Sequence, residues 1–138
     1  VDGLNGVVKE LQLPLIFAVH PRTKNRIEKA NFVLDDLIKL IDPVGYLDFL
    51  QLLKNATLII TDSGGIQEEA SVLKVPCVTT RENTERPETL TLGCNILAGV
   101  EPEKMIACAK EMVNKSRDWN SPYGDGKTGE RIVEIISQ

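Results

Sequence analysis

The sequence contains few aromatic residues, few cysteines and no long apolar run. Phe, Trp and Tyr make up 4% of the 138 residues, so we expect a core of aliphatic side chains. Cys77, Cys94 and Cys108 show no CxxC spacing, which favours buried free thiols in a reducing compartment over a disulfide framework. No stretch approaches the roughly 18 apolar residues of a membrane helix, and no signal-peptide pattern is present. These absences predict a cytoplasmic protein that does not contact a membrane.

The charge balance also excludes a class of partner. The chain has 16 basic and 20 acidic side chains, a net charge of −4, and no cluster of Lys and Arg. Nucleic-acid binding depends on such a cluster, so we expect none. An acidic protein can still bind an anion, provided that it does so at a local site. The hydrophobic content of 42% is typical of a globular protein, and we expect residues 1–138 to form a single domain.

Short apolar runs alternate with amphipathic segments along the whole chain. The runs predict strands over Leu13–Val19, Leu37–Ile41, Leu58–Thr61, Val75–Thr79 and Asn95–Leu97. Helices are predicted between them, so the pattern favours a Rossmann-like α/β fold, with a parallel sheet covered by helices on both faces. The unbroken run from Leu13 to Val19 is typical of a strand buried on both faces. A crossover helix opens the chain with no strand before it, which predicts that the chain is part of something longer.

Ligands of open α/β sheets bind at the carboxyl ends of the strands. Three polar segments are predicted there: residues 20–22, 62–65 and 81–88. In the second, Ser63 can cap the next helix, and Gly64 and Gly65 let a ligand oxygen approach the backbone. The helix N-terminus would then bind a phosphate. An ordinary capped turn between a strand and a helix explains the same residues, so both interpretations stay open.

Four charged or titratable residues lie near these strand ends. Glu69 can accept hydrogen bonds from a ribose diol, whereas Glu68 is placed to compensate the helix dipole. Arg86 precedes Pro87, which is placed to open a helix, and its side chain either forks onto a phosphate or stays solvated. His20, the only histidine, is either a phosphate ligand, a general acid or base, or a structural residue.

Together these segments resemble one family. The string from Leu58 to Glu69 (LIITDSGGIQEE), with 84–88 (TERPE) and 20–22 (HPR), is similar to the non-hydrolysing UDP-N-acetylglucosamine 2-epimerases, and the likeness runs from Val1 to about Gly99. That family has two Rossmann-like halves in the glycosyltransferase-B arrangement, and this chain resembles the second half. The resemblance implies that the segment from Val44 to Phe49 lines the uracil pocket, through backbone groups near Val44 and the ring of Phe49. It also implies UDP contacts through Glu69 (ribose) and through Ser63, Gly64, Gly65, His20 and Arg86 (phosphates).

The resemblance also implies a reaction. The family converts UDP-N-acetylglucosamine to UDP-N-acetylmannosamine by elimination and re-addition of UDP, without a metal or redox cofactor, and His20 would assist the elimination. Its acid and base carboxylates lie in the first half, so we expect this chain alone to be inactive and the full-length protein to be a homodimer. The alternatives are the donor-binding half of a UDP-sugar glycosyltransferase of the same architecture and a non-enzymatic α/β interaction module. The TERPE segment favours the epimerase.

Overall fold

The computed structural model describes residues 1–137 as an alternation of helices and strands. The five strands are β1 (Leu15–Ala18), β2 (Ile38–Ile41), β3 (Ile59–Thr61), β4 (Cys77–Thr79) and β5 (Asn95–Leu97). The seven helices are α1 (Asp2–Leu11), α2 (Pro21–Lys29), α3 (Tyr46–Asn55), α4 (Gly64–Val72), α5 (Pro87–Thr91), α6 (Pro102–Val113) and α7 (Thr128–Ile136). No helix within residues 1–137 combines the length and the apolar character that crossing a membrane requires.

All strand pairs are parallel, as the alternation predicts. β1 pairs with β2, and β3, β4 and β5 pair in that order, with Ile59 opposite Cys77 and Cys77 opposite Asn95. The described strands therefore form two ladders, and the α/β class is confirmed. Because the strands are parallel, β3 and β4 end at the same edge of their ladder, and the chain leaves them into the segments that carry the candidate site.

Helices cover both faces of the three-stranded ladder, and β4 shows this most clearly. Val78 points into a cluster with Val7 of α1 and with Met105, Ala109 and Met112 of α6. The neighbouring Cys77 points the other way, into a second cluster that contains Leu53, Ile59, Ala70 and Val75. Successive residues of a strand point to opposite faces, so the two clusters lie on opposite sides of the ladder. The predicted aliphatic core is confirmed.

The three cysteines are free and buried, as predicted. Burial raises the pKa of the Cys77 thiol to about 12, because the apolar surroundings disfavour the thiolate. At neutral pH this side chain is protonated and behaves as a small apolar group of the core.

The prediction that β1 is buried on both faces is wrong. Ile16, in the middle of the strand, is 53% exposed. The helix that follows β1 explains this, because α2 buries only Ile27 and so provides little apolar cover. A continuous apolar run identifies the strand correctly but does not show how much of it is covered.

The segment after α6 is anchored by a buried tryptophan. Trp119 is 8% exposed, and its Nε1–H donates to the carbonyl of Ser71 in α4 at 3.0 Å. Lys74 Nζ in turn donates to the carbonyl of Trp119 at 2.6 Å. Further along, the Tyr123 hydroxyl donates to Glu88 Oε1 of α5 at 2.8 Å. The segment is thus tied to α4 and α5, two of the helices next to the candidate site.

We expect Trp119→Ala to lower the free energy of unfolding by about 3–5 kcal/mol, since it removes a large buried ring and leaves a cavity. Trp119→Phe keeps most of the apolar volume and should recover most of that loss. Urea unfolding followed by far-UV circular dichroism measures both, with Asn120→Ala as the control at an exposed position of the same segment. A loss below about 1 kcal/mol for Trp119→Ala would show that the ring does not anchor the segment.

Candidate functional site

The turn between β3 and α4 is fixed by the last residue of the strand. The amide N–H of Ser63 donates to Thr61 Oγ1 at 3.1 Å, and the carbonyl of Ser63 accepts from the N–H of Gln67 at 3.2 Å. Ser63 occupies the N-cap position, but its side chain makes no capping hydrogen bond. The prediction that its hydroxyl caps the helix is therefore wrong. The hydroxyl of Thr61 closes this turn instead, through a hydrogen bond to a backbone N–H two residues later.

The helix that follows begins with three amides that no protein group satisfies. Within residues 1–137, the N–H groups of Gly64, Gly65 and Ile66 find no protein acceptor. The first turn of any helix leaves such donors, and together with the helix dipole they favour a negative charge. This first turn is accessible to solvent, because all three residues are exposed or partly exposed. The geometry is that of an anion site.

Packing of the protein does not require glycine at either position. A Cβ atom at Gly64 would lie 3.8 Å from the nearest atom, Arg86 Cζ, and one at Gly65 would lie 3.9 Å from Ser63 Oγ. Both distances are ordinary van der Waals contacts. Gly99 differs, because its φ of 64° lies in the left-handed region that favours glycine. The absence of side chains at Gly64 and Gly65 thus leaves the backbone approachable for a ligand.

Arg86 supplies the positive charge next to these amides. Its Nε–H donates to Glu68 Oε1, its Nη1 donates to the carbonyl of Glu85 at 3.1 Å, and its Nη2 lies 3.9 Å from the Cβ position of Gly64. The hydrogen bond that Arg86 donates to Glu68 raises the pKa of Arg86, so the guanidinium stays charged. Arg81 lies 3.6 Å from the carboxylate of Glu85. The guanidinium groups of Arg86 and Arg81 are thus balanced by the carboxylates of Glu68 and Glu85. An anion bound here would make the net charge of this group negative.

The contact between Arg86 and Glu68 is not visible in the sequence. The two residues are 18 positions apart and meet only because the segment after β4 returns across the start of α4. Glu68 lies in the first part of α4, where the sequence places it to compensate the helix dipole, and the structure adds a cationic partner. The sequence shows only that Glu68 and Arg86 carry opposite charges and follow two strands whose carboxyl ends lie at one edge of the ladder.

Glu69 lies next to the start of α3. Its carboxylate raises the pKa of the exposed Tyr46 phenol, mainly through a hydrogen bond and also through its negative charge. Tyr46 lies within the segment from Val44 to Phe49 that was expected to line the uracil pocket, although no contact was assigned to its own side chain. Of the residues expected to contact uracil, Val44 is exposed, whereas Phe49 is half-buried against the cluster around Leu53. The start of α3 and Glu69 therefore share one region, and the uracil contacts of Val44 and Phe49 stay predictions.

His20 lies at the carboxyl end of the other ladder. It is exposed and forms the N-cap of α2, where its Nδ1 accepts from the N–H of Arg22 at 3.2 Å. A neutral ring that accepts at Nδ1 carries its proton on Nε2. The structure thus brings Gly64, Gly65 and Arg86 together and places His20 on a separate element, so its role stays a prediction. Within residues 1–137, no three His, Cys, Asp or Glu side chains are grouped to hold a metal ion.

Glu69→Gln is expected to lower the pKa of Tyr46 towards its ordinary value, because the substitution removes the negative charge that opposes ionisation of the phenol. An NMR pH titration of the Tyr46 ring signals measures the shift. Glu68→Gln is the matched control, since Glu68 pairs with Arg86, and it should leave the titration of Tyr46 unchanged. The same Tyr46 pKa in wild type and Glu69→Gln would contradict the proximity of these two side chains.

Comparison with known proteins gives consistent matches over the whole described chain. A family model described as UDP-N-acetylglucosamine 2-epimerase matches residues 1–137. A UDP-N-acetylglucosamine 2-epimerase from Methanocaldococcus jannaschii is 53% identical over 142 residues, which cover 99% of this chain and 38% of the relative. A UDP-2,3-diacetamido-2,3-dideoxy-D-glucuronate 2-epimerase from Pseudomonas aeruginosa is 37% identical, and the match again covers 38% of the relative. The chain thus spans well under half the length of these curated relatives.

Solved structures agree with the sequence matches. A structure of the Methanocaldococcus jannaschii UDP-GlcNAc 2-epimerase superposes with a TM-score of 0.92 at 51% identity, covering 99% of this chain and 39% of that one. The same enzyme in complex with UDP-GlcNAc and UDP superposes with a TM-score of 0.88. The resemblance carried by the DSGGIQEE and TERPE segments is confirmed: the chain belongs to the UDP-N-acetylglucosamine 2-epimerase family.

Proposed function

We propose that residues 1–138 form the UDP-binding domain of an enzyme that interconverts UDP-N-acetylglucosamine and UDP-N-acetylmannosamine. The observation that carries this proposal is the group of three open amides at the start of α4, with Gly64 and Gly65 unobstructed and the guanidinium of Arg86 beside them. Support also comes from the Methanocaldococcus jannaschii relative, whose structure is described as a complex with UDP-GlcNAc and UDP.

In this proposal the pyrophosphate of UDP occupies the first turn of α4. The amides of Gly64, Gly65 and Ile66 donate to phosphate oxygens, and the helix dipole adds a favourable field. Arg86 reaches the same phosphate from the side through Nη2, the guanidinium nitrogen that lies towards Gly64. Ser63 lies directly before these amides, with its side chain uncommitted to the helix cap, so its hydroxyl is placed to donate as well.

The rest of the nucleotide then extends towards α3. Glu69 lies about one turn further along α4 than the glycines, where its carboxylate can accept from both ribose hydroxyls. Helix α3 packs against α4, the helix that carries Glu69. The uracil would lie near Val44 and Phe49, in the segment that leads into α3. UDP bound in this way runs from Arg86 to α3 across the N-terminal part of α4.

In the proposed reaction, this domain stabilises UDP as the leaving group. Elimination breaks the bond between C1 of the sugar and the β-phosphate oxygen of UDP while a base takes the proton from C2. Re-addition of UDP to C1, with a proton delivered to the opposite face of C2, restores the bond with C2 inverted. Negative charge develops on the departing phosphate, where preorganised N–H donors and a guanidinium are most effective. His20 is the candidate to assist at the phosphate. The carboxylates that move the C2 proton would belong to the part of the relatives that this chain does not span.

Family membership favours this function over the glycosyltransferase half and over a non-enzymatic module. The relative from Pseudomonas aeruginosa is described as acting on a different sugar, also linked to UDP. The residues described above would contact the UDP part that both substrates share, and the choice of sugar would be made elsewhere. The buried free thiols support the expected cytoplasmic location of the enzyme, and its homodimeric state stays a prediction.

Addition of millimolar UDP is expected to shift the amide NMR signals of Ser63, Gly64 and Gly65. Gly64→Ala should fold with unchanged or slightly higher stability, because its Cβ has room, yet bind UDP about tenfold more weakly, since the methyl group occupies the approach to the amides. Gly129→Ala is the matched control: it adds a methyl group near the start of α7, where nothing lies within 4 Å, and should leave UDP binding unchanged. Unmoved Ser63–Gly65 signals in the wild type would contradict the proposal.

The chain alone should not interconvert the two UDP-N-acetylhexosamines, because no residue in it matches the family's acid and base carboxylates. The anomeric proton signals of UDP-N-acetylglucosamine, followed by NMR over hours, measure the conversion. The full-length Methanocaldococcus jannaschii relative serves as the active control. Measurable turnover by residues 1–138 would overturn the division of labour proposed here.

A further inference from the structure

A largely buried network of polar side chains makes hydrogen bonds to the backbone of Arg86. Its members belong to α4, β4, β5, α5 and the segment after β4, namely Gln67, Thr79, Asn95, Thr89 and Thr84. Gln67 is 1% exposed, Thr79 and Thr89 are fully buried, and Asn95 is 4% exposed. The sequence analysis assigned no role at the site to any of these side chains. Buried polar groups are costly unless their hydrogen bonds are made, so the direction of each bond is informative.

The first branch runs through Asn95 to the carbonyl of Arg86. The Thr79 hydroxyl donates to Asn95 Oδ1 at 2.8 Å, which leaves the amide nitrogen of Asn95 for the other side of the network. Asn95 Nδ2 therefore donates, to Gln67 Oε1 at 3.2 Å and to Thr89 Oγ1 at 3.0 Å. The Thr89 hydroxyl in turn donates to the carbonyl oxygen of Arg86 at 2.7 Å.

The second branch runs through Gln67 to the amide of Arg86. The Thr84 hydroxyl donates to Gln67 Oε1 at 2.5 Å, and Thr84 Oγ1 accepts from the N–H of Arg86 at 3.0 Å. Both backbone groups of Arg86 are thus held by threonine hydroxyls, and both hydroxyls are oriented by the amides of Gln67 and Asn95. Arg86 needs this support, because its φ of −123° and ψ of 57° belong to neither a helix nor a strand.

The network is not what stability alone would select. Gln67 Oε1 accepts two hydrogen bonds, but Gln67 Nε2 is buried with no protein partner within residues 1–137. An unsatisfied buried donor is destabilising, and apolar side chains would pack α4 against β5 without that cost. What the network achieves is geometric. It ties the backbone of Arg86 to Gln67, which lies on the same helix that presents the amides of Gly64 and Gly65.

We propose that Gln67 and Asn95 are positioning residues that hold Arg86 beside Gly64, through the hydroxyls of Thr84 and Thr89. The guanidinium is then fixed relative to the open amides before a ligand arrives, so that both meet the same anion without further ordering. The ion pair with Glu68 completes the arrangement by orienting the side chain, with Nη2 towards Gly64. The inference rests on the proposed binding of a UDP pyrophosphate at this turn.

Threonine substitutions test the proposal, because valine keeps the shape of threonine and removes the hydroxyl, whereas serine keeps the hydroxyl. Two quantities are measured: the Nε–Hε NMR signal of Arg86 without ligand, and the Kd for UDP under conditions where each variant is fully folded. Thr84→Val should shift or broaden the Arg86 signal and raise the Kd about tenfold, as expected when a charged group loses its fixed position. Thr84→Ser should stay within twofold of the wild type.

The matched control is Thr91→Val on α5. The Thr91 hydroxyl is exposed and donates to the carbonyl of Pro87, outside the network, so both measurements should stay at wild-type values. Thr89→Val and Thr89→Ser repeat the test on the other branch and decide it if Thr84→Val does not fold. Wild-type Kd values in both valine variants would overturn the proposal, as would failure of the serine variants to restore binding. If the wild type itself does not bind UDP, the proposed function fails, while the Arg86 signal still tests whether the network positions this side chain.

Discussion

The site depends on the donors that the first turn of α4 leaves without a partner. Every helix begins with such N–H groups, and proteins usually satisfy them with a capping side chain or water. Here Thr61 takes the N–H of Ser63 and thereby fixes the turn, while the amides of Gly64, Gly65 and Ile66 stay open. Two residues without side chains keep that opening unobstructed, and a guanidinium lies next to it. Each of the other features described here supports this arrangement.

The fold supplies the support on two levels. The parallel ladder brings the ends of β3 and β4 to one edge, so the segment with Arg86 returns over the start of α4. The buried amides of Gln67 and Asn95 orient the threonine hydroxyls that hold the backbone of Arg86. Trp119 ties the segment after α6 to the C-terminal part of α4. An apolar core sets the positions of the elements, and a polar network sets the position of the Arg86 backbone.

The sequence predicts the element types and the location of the site, because apolar runs, Gly64, Gly65 and Pro87 act locally. It predicts contacts between distant residues less well. The ion pair of Arg86 with Glu68 and the anchoring of Trp119 depend on how the segments meet in space. Helix α1 begins at Asp2 and contains Gly3 and Gly6, although glycine is a poor helix former. Both glycines face side chains of α6, and this close packing outweighs their propensity.

A crystal structure of the chain soaked with uridine diphosphate tests the central claim most directly. The account predicts that phosphate oxygens lie within hydrogen-bond distance of the amides of Gly64, Gly65 and Ile66 and of the guanidinium of Arg86, with the ribose at Glu69. A nucleotide bound elsewhere, or a first turn of α4 closed by protein atoms in the presence of the ligand, would contradict it.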